Sequence, residues 1–167
     1  MGTPGRSSIP KAASVSSAAT APTASPSSPD ARIETAHHGR EAMASILVVD
    51  DSEMVQRAVS AVLSRKGHEV VIAGKAVDGV QRVKERAFDL ILMDLNLPDS
   101  RGERAIRALR LVMKVAAPIL VISTEIKVDT VLELRSLGVV GFVDKTEGFG
   151  DRLVEEVDKA LAGGDPR

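Results

Sequence analysis

Phe88-Asp-Leu-Ile-Leu-Met-Asp94-Leu-Asn-Leu-Pro98-Asp-Ser-Arg-Gly102 opens as a buried strand and closes as a loop. Leu90 to Met93 form an unbroken apolar run, as a parallel strand covered on both faces requires. The run stops on a carboxylate, Asp94. Beyond it, Pro98 has no N–H to give to a ladder and Gly102 permits unusual backbone angles, so the segment reads as a loop. A helical pattern resumes at Glu103. In open parallel α/β sheets, ligands bind outside the carboxyl ends of the strands, which makes Asp94 the leading candidate for a functional residue.

The same alternation recurs on both sides of this segment. Upstream, Ile46-Leu-Val-Val49 reads as a buried strand ending in Asp50-Asp51. Ser52 is expected to cap a helix in which Val55, Val59 and Val62 recur at helical spacing, closed by Gly67. Glu69-Val-Val-Ile-Ala73 is a second, shorter strand. A second helix holds Asp78-Gly79 early, with Val80, Val83 and Ala87 on its apolar face. Downstream, Ile106, Leu109 and Met113 mark a third helix, stopped before Pro118. Ile119-Leu-Val-Ile122 is a fourth strand, ending at Ser123-Thr124. Val128, Val131, Leu134 and Leu137 mark a fourth helix, with Gly138 after it. Val139-Val-Gly-Phe-Val143 is a fifth strand, followed by Asp144-Lys145-Thr146, and Leu153, Val157 and Leu161 mark the last helix. Five βα units in a row predict an α/β fold with a doubly wound, five-stranded parallel sheet. That domain is expected to span residues 45–162, with residues 163–167 a polar end and no second domain expected.

Residues 1–44 differ in kind. They are rich in Ala, Ser, Thr and Pro, hold five of the eight prolines, and show neither helical nor strand periodicity. Such a segment cannot bury enough apolar surface to offset its ordering entropy, so disorder is expected. Sparse basic residues speak against a transit peptide, and Arg6 stands where myristoylation expects Ser or Thr. Two readings stay open: a flexible tail, or a true start at Met43, because Met43-Ala-Ser runs directly into the first strand.

Composition narrows the function classes. Hydrophobic residues make up 44% of the 167, enough for a core, and the formal net charge is −1. That charge leaves no basic footprint for nucleic acid or an anionic membrane. No stretch approaches the roughly 20 apolar residues of a membrane-spanning helix, so no membrane insertion is expected. Cysteine is absent, which removes disulfides and thiol chemistry and fits a cytoplasmic protein. The only aromatics are three Phe, too few to build a platform for base stacking.

Every strand but the second ends in a chemically capable residue: Asp50 and Asp51, Asp94, Ser123, Lys145. Each alone has an ordinary role, as a helix cap, a partner of a helix dipole or a solvated charge. Their occurrence along one edge of one sheet carries the functional reading, since neighbouring strands lie about 4.8 Å apart. Three carboxylates without His or Cys make a hard oxygen site suited to Mg²⁺ or Mn²⁺, which would relieve their repulsion. Asp94 can then act as a nucleophile and form an acyl phosphate. Lys145 offers a positive charge and Ser123 a hydroxyl to the phosphoryl oxygens. The expected chemistry is phosphoryl acceptance.

Taken together, Val-Val-Asp50-Asp51-Ser, Met-Asp94-Leu-Asn-Leu-Pro98, Val-Ile-Ser123-Thr-Glu and Gly-Phe142-Val-Asp-Lys145 resemble the receiver domain of two-component response regulators, in its stand-alone, chemotaxis-regulator-like form. The resemblance covers about residues 45–162. It implies a flavodoxin-like fold with strand order 2-1-3-4-5. It implies that Asp94 takes a phosphoryl group from a histidine kinase or histidine phosphotransfer protein, and that the domain signals to a downstream protein target. By the same resemblance, Asp51 and Asp94 would ligate Mg²⁺, Asp50 would act through water, and the Asn96 backbone carbonyl would complete the protein ligands. Lys145 would pair with Asp94 or the phosphate. Ser123 and Phe142 would be the hydroxyl and the aromatic that rearrange on phosphorylation. Such a domain accepts phosphate rather than turning over a substrate, apart from slow self-dephosphorylation.

Two departures stand out. Thr146 follows the lysine where such receivers carry Pro, and the loop after Asp94 lacks Met-Asp before Gly102. Neither removes a chemical group from the site. The alternative is a degenerate receiver that serves as an adaptor without phosphorylation; retention of Asp50, Asp51, Asp94, Ser123 and Lys145 weighs against it. An aspartyl-nucleophile phosphatase commonly carries a second acid two residues after the nucleophile, where this chain has Asn96.

Overall fold

Each apolar run forms a strand, and each strand is followed by a helix. In chain order these are β1 (Ser45–Val49), α1 (Glu53–Arg65), β2 (Glu69–Ala73), α2 (Ala76–Glu85), β3 (Leu90–Asp94), α3 (Gly102–Arg107), β4 (Ile119–Ser123), α4 (Val128–Ser136), β5 (Val139–Asp144) and α5 (Phe149–Gly163). The computed structural model describes residues 43–163. The expectations for residues 1–42 and for the polar end at 164–167 lie outside the described residues. All strand pairs are parallel and the order is β2-β1-β3-β4-β5, the expected flavodoxin-like arrangement.

Alternation along the strands splits the core in two. Leu47, Val49, Ile91, Met93, Ile119 and Val121 face one side, where Ala76 of α2, Ile106 of α3 and Leu134 of α4 cover them. Ile46, Val48, Leu90, Leu92, Leu120 and Ile122 face the other, under Val59 and Leu63 of α1 and Leu153 and Val157 of α5. β3 and β4 are buried along their whole length, which explains why they read as continuous apolar runs. Each large side chain so covered contributes about 1.5–3 kcal/mol relative to exposure. No helix among the described residues is long and apolar enough to cross a membrane.

The helix ends follow local chemistry. Ser52 Oγ accepts the Val55 N–H at 3.5 Å and caps α1. Gly67 and Gly138, at φ +86° and +78°, take the left-handed turn that ends α1 and α4, where a side chain would be strained.

Four expectations about helix faces need correction. The fully buried residues of α1 are Val59 and Leu63, while Val62 is only half-buried, because the helix seats itself by an i, i+4 pair. α2 ends at Glu85, so Ala87 lies outside it and is exposed. Arg86 is extended, which lets the chain turn toward β3 and deliver Phe88 to the core in place of Ala87. α3 is short and passes into a π-helical turn, Ala108–Val112, so Met113 leaves the helical row. The half-buried Arg110 side chain donates to the carbonyls of Val115, Leu137 and Gly138, satisfying groups that this irregular exit leaves open. On α4, Val128 is 74% exposed and only Leu134 is fully buried. The helix meets the sheet through its second half, so its first apolar residue has nothing to cover it.

Leu63→Ala is expected to cost about 2–5 kcal/mol through lost burial and the cavity left behind. Met54→Ala on the same helix, where Met54 is 77% exposed, should stay within about 0.5 kcal/mol. Denaturant unfolding of the two variants checks the seating of α1.

Candidate functional site

Sheet register brings the strand ends to one edge. Val49 lies opposite Met93, Asp94 opposite Ile122, and Ser123 opposite Asp144. Asp50 and Lys145 follow directly on β1 and β5. The Asp50 N–H is held by the Ala73 carbonyl at 3.0 Å, and the Lys145 N–H by the Ser123 carbonyl at 2.9 Å.

Asp50, Asp51 and Asp94 each offer a carboxylate oxygen, and these oxygens lie within 4.8 Å of one another. Asp50 and Asp94 are 0% and 3% exposed, whereas Asp51 faces outward. The Lys145 side chain reaches in beneath them, with Nζ at 2.5 Å from Asp50 Oδ2 and 2.6 Å from Asp94 Oδ2. The other carboxylate oxygens bond to their own loops: Asp50 Oδ1 accepts the Ser52 N–H at 2.9 Å and Asp94 Oδ1 the Asn96 N–H at 3.1 Å. Burial pushes the Asp50 carboxyl above its ordinary range; bonds from Lys145 and the Ser52 N–H pull it back without cancelling the effect.

The donor set fits the expected cation. Three carboxylates against one ammonium leave two negative charges uncompensated, all donors are oxygen, and Asp51 lies on the open side. A hard divalent ion such as Mg²⁺ or Mn²⁺ suits that arrangement.

Ser123 and Phe142 sit beside this cluster rather than in it. Ser123 is fully buried, and its Oγ donates to the Glu125 carbonyl at 3.1 Å and accepts the Glu125 N–H at 3.4 Å. The hydroxyl is therefore engaged within its own loop. Phe142 is half-buried on β5, opposite Val121, and the Arg135 guanidinium of α4 lies 5.5 Å from its ring centroid.

Three contributions escaped the sequence reading. Gly102 does not take a left-handed φ; its role is space, because a Cβ there would stand 2.1 Å from the Asp94 carbonyl oxygen. Gly79 lets α2 approach β1, since a Cβ there would meet Val49 Cγ2 at 2.7 Å, one residue before Asp50. Asp99 accepts the Ala76 and Val77 N–H groups, both at 2.9 Å, and so ties the loop after Asp94 to the start of α2. Burial works against the charged form of Asp99, yet the Val77 and Ala76 N–H bonds hold its carboxyl below the ordinary range. A Pro-Asp pair in a loop carries no sign of which distant helix the acid will meet.

Comparison with known proteins agrees with this fold. Residues 46–158 match the family model described as Response regulator receiver domain. The transcriptional regulatory protein ZraR of Salmonella typhimurium is 32% identical over 117 residues, which is 70% of this chain and 26% of that protein. A protein-glutamate methylesterase/protein-glutamine glutaminase of Archaeoglobus fulgidus is 36% identical over 107 residues, 62% of this chain and 30% of that one. The chain thus spans about a quarter to a third of the length of these curated relatives. Among solved structures, the chemotaxis protein CheY4 of Vibrio cholerae superposes with a TM-score of 0.66 at 29% identity, covering 72% of this chain and 100% of that one.

The raised carboxyl of Asp50 has a signed consequence for stability. A folded-state value above the unfolded one means that stability falls as pH rises from the ordinary Asp range, ~3.9, and the penalty is complete only above the folded value. Asp50→Asn removes it. At pH 7 without divalent cations this variant should melt a few degrees above the parent, and the gap should close as the pH falls toward about 4. A parent that melts higher at pH 7 would show that the lysine contact outweighs burial.

Proposed function

We propose that this chain, which belongs to the response regulator receiver domain family, accepts a phosphoryl group on Asp94 and relays that state to a partner protein. The observation that supports this best is the buried Asp94 carboxylate, paired with Lys145 and flanked by two further carboxylates at one sheet edge. The donor is a phosphohistidine, on a histidine kinase or a histidine phosphotransfer protein, and the reader is a downstream protein target. The reading concerns the domain, whether it acts alone or within a longer protein.

In the transfer, an Asp94 carboxylate oxygen bonds to phosphorus while the P–N bond to the donor imidazole breaks and the ring nitrogen keeps the electron pair. In-line transfer of this kind asks for positioning and charge neutralisation more than covalent chemistry from the protein. Asp51, Asp94 and the Asn96 backbone carbonyl would hold Mg²⁺ or Mn²⁺, with Asp50 acting through water, and the bound ion would supply charge neutralisation at the phosphoryl oxygens. Lys145, already between Asp50 and Asp94, follows the charge onto the phosphoryl oxygens. Asn96 stands two residues after Asp94, where an aspartyl-nucleophile phosphatase commonly carries an acid, which favours an acceptor role for this domain.

The phosphoryl group adds up to two negative charges next to β4. Drawing the Ser123 hydroxyl from its Glu125 partners toward those charges frees the loop ahead of α4, and Phe142 turns inward from beneath Arg135. A reader then senses the face made by α4, β5 and α5. A protein partner also suits the low net charge. Relatives named as transcriptional regulators are matched over only 26% of their length, so the expectation of no nucleic-acid partner applies to this chain by itself. Its expected site of action is the cytoplasm.

Incubation with acetyl phosphate and Mg²⁺ should add one labile phosphoryl group by intact mass. Chelation of the cation or Asp94→Asn should abolish it, and Asp51→Ala should reduce it strongly. Unchanged labelling of Asp94→Asn would sink the assignment, and a parent that never labels would leave the phosphorylation-independent adaptor. Separately, Ser123→Ala should still take up phosphate but lose the response at Phe142. Backbone amide shifts with beryllofluoride, a phosphoryl mimic, should reach β5 and α4 in the parent and stop at the loops around Asp94 in the variant. Shifts confined to those loops in the parent itself would refute the switch.

A further inference from the structure

The loop between β3 and α3 is closed at its base and tethered at its tip. At the base, Asn96 and Arg101 pair as an isolated antiparallel bridge, and the Gly102 N–H reaches the Leu95 carbonyl at 2.9 Å. At the tip, the two carboxylate oxygens of Asp99 take the first two N–H groups of α2, 23 and 22 residues away in the chain. Lys75, the residue that would ordinarily cap α2, has an extended backbone and makes no side-chain capping bond. The cap of α2 is thus supplied from the phosphoacceptor loop.

That placement closes a ring of contacts around the carboxylate cluster. α2 is seated on β1 where Gly79 meets Val49, directly before Asp50 and Asp51. Asp99 joins the start of α2 to the loop that bears Asn96, and the Asn96 N–H returns to Asp94. A charge-assisted pair of bonds at a helix N-terminus is among the stronger local contacts an exposed carboxylate can make. Groups one step behind a metal's ligands orient them, and their loss weakens binding even though they never touch the ion.

We infer that Asp99 is a positioning residue for the cation site: through α2 it fixes the Asn96 backbone relative to Asp50 and Asp51. This role rests on the cation-dependent reading given under the proposed function. The competing account is that Asp99 only caps α2, and the two accounts part at Lys75. A serine there caps the helix locally but ties nothing to the loop.

Titration calorimetry of the full chain with MgCl₂ provides the test. Asp99→Ala should weaken Mg²⁺ binding by about tenfold, and Asp99→Asn, which keeps one acceptor oxygen, should fall between it and the parent. Hydrogen exchange at the Asn96 and Gly102 amides of the cation-free protein should quicken in Asp99→Ala. Adding Lys75→Ser to Asp99→Ala should restore melting temperature but not Mg²⁺ affinity. Recovery of both, unchanged Mg²⁺ binding in Asp99→Ala, or unchanged amide protection would each overturn the role of Asp99. A parent that binds no Mg²⁺ would overturn the cation reading, and this role with it; normal binding by the parent confines any failure to Asp99.

Discussion

One ammonium group beneath two buried carboxylates is the constraint on which the rest of this structure depends. Lys145 contacts both Asp50 and Asp94, and the three side chains are each at most 8% exposed. Buried charges are tolerated only when paired and hydrogen-bonded, and even then the desolvation cost can exceed the attraction. Here the pairing is incomplete, since Asp51 adds a third carboxylate within reach. The cluster is a place where the fold holds charge at a cost to its own stability, as sites that bind a cation commonly do.

What holds the charges together is the apolar sheet behind them. β3 and β4 are covered on both faces, and their burial outweighs the local repulsion at the edge. Two glycines set the approach distances. Without Gly79, α2 could not sit against Val49, and without Gly102, α3 could not start beside the Asp94 carbonyl. The carboxylates are therefore positioned by backbones packed closer than any side chain allows.

The side of the sheet end formed by α4 and β5 is built differently. α4 has a single fully buried residue, Leu134, and its exposed Val128 and Leu132 are joined by Val140 on β5. Its C-terminal half, seated on the sheet by Leu134, is tied further by cations: Arg107 pairs with Glu133, Arg110 bonds to the carbonyls of Leu137 and Gly138, and Arg135 covers Phe142. An element with little buried area and several exposed polar ties lies toward the low-stability end of a fold, from which moving parts are drawn.

Much of this was legible in the chain itself. Period and punctuation sufficed for five strands, five helices and their order in sequence, because a strand buried on both faces must be apolar throughout. The polar residue that ends every run but the second then marks the candidate site edge without knowledge of the fold, as at Asp50, Asp94, Ser123 and Lys145. Strand order came from resemblance, not from periodicity, since no local signal says which strands pair. Helix faces were legible only in part. Ala87 and Val128 have the right spacing and still lie in solvent, because burial depends on where a helix is seated and where it stops. Contacts that span the chain were the least legible. That Lys145 would bridge Asp50 and Asp94, that Asp99 would cap α2, and that Gly102 was needed for space rather than for φ are consequences of close approach between segments tens of residues apart. A sequence specifies the groups and their local geometry; distance and burial, which decide what those groups can do, exist only once the sheet has assembled.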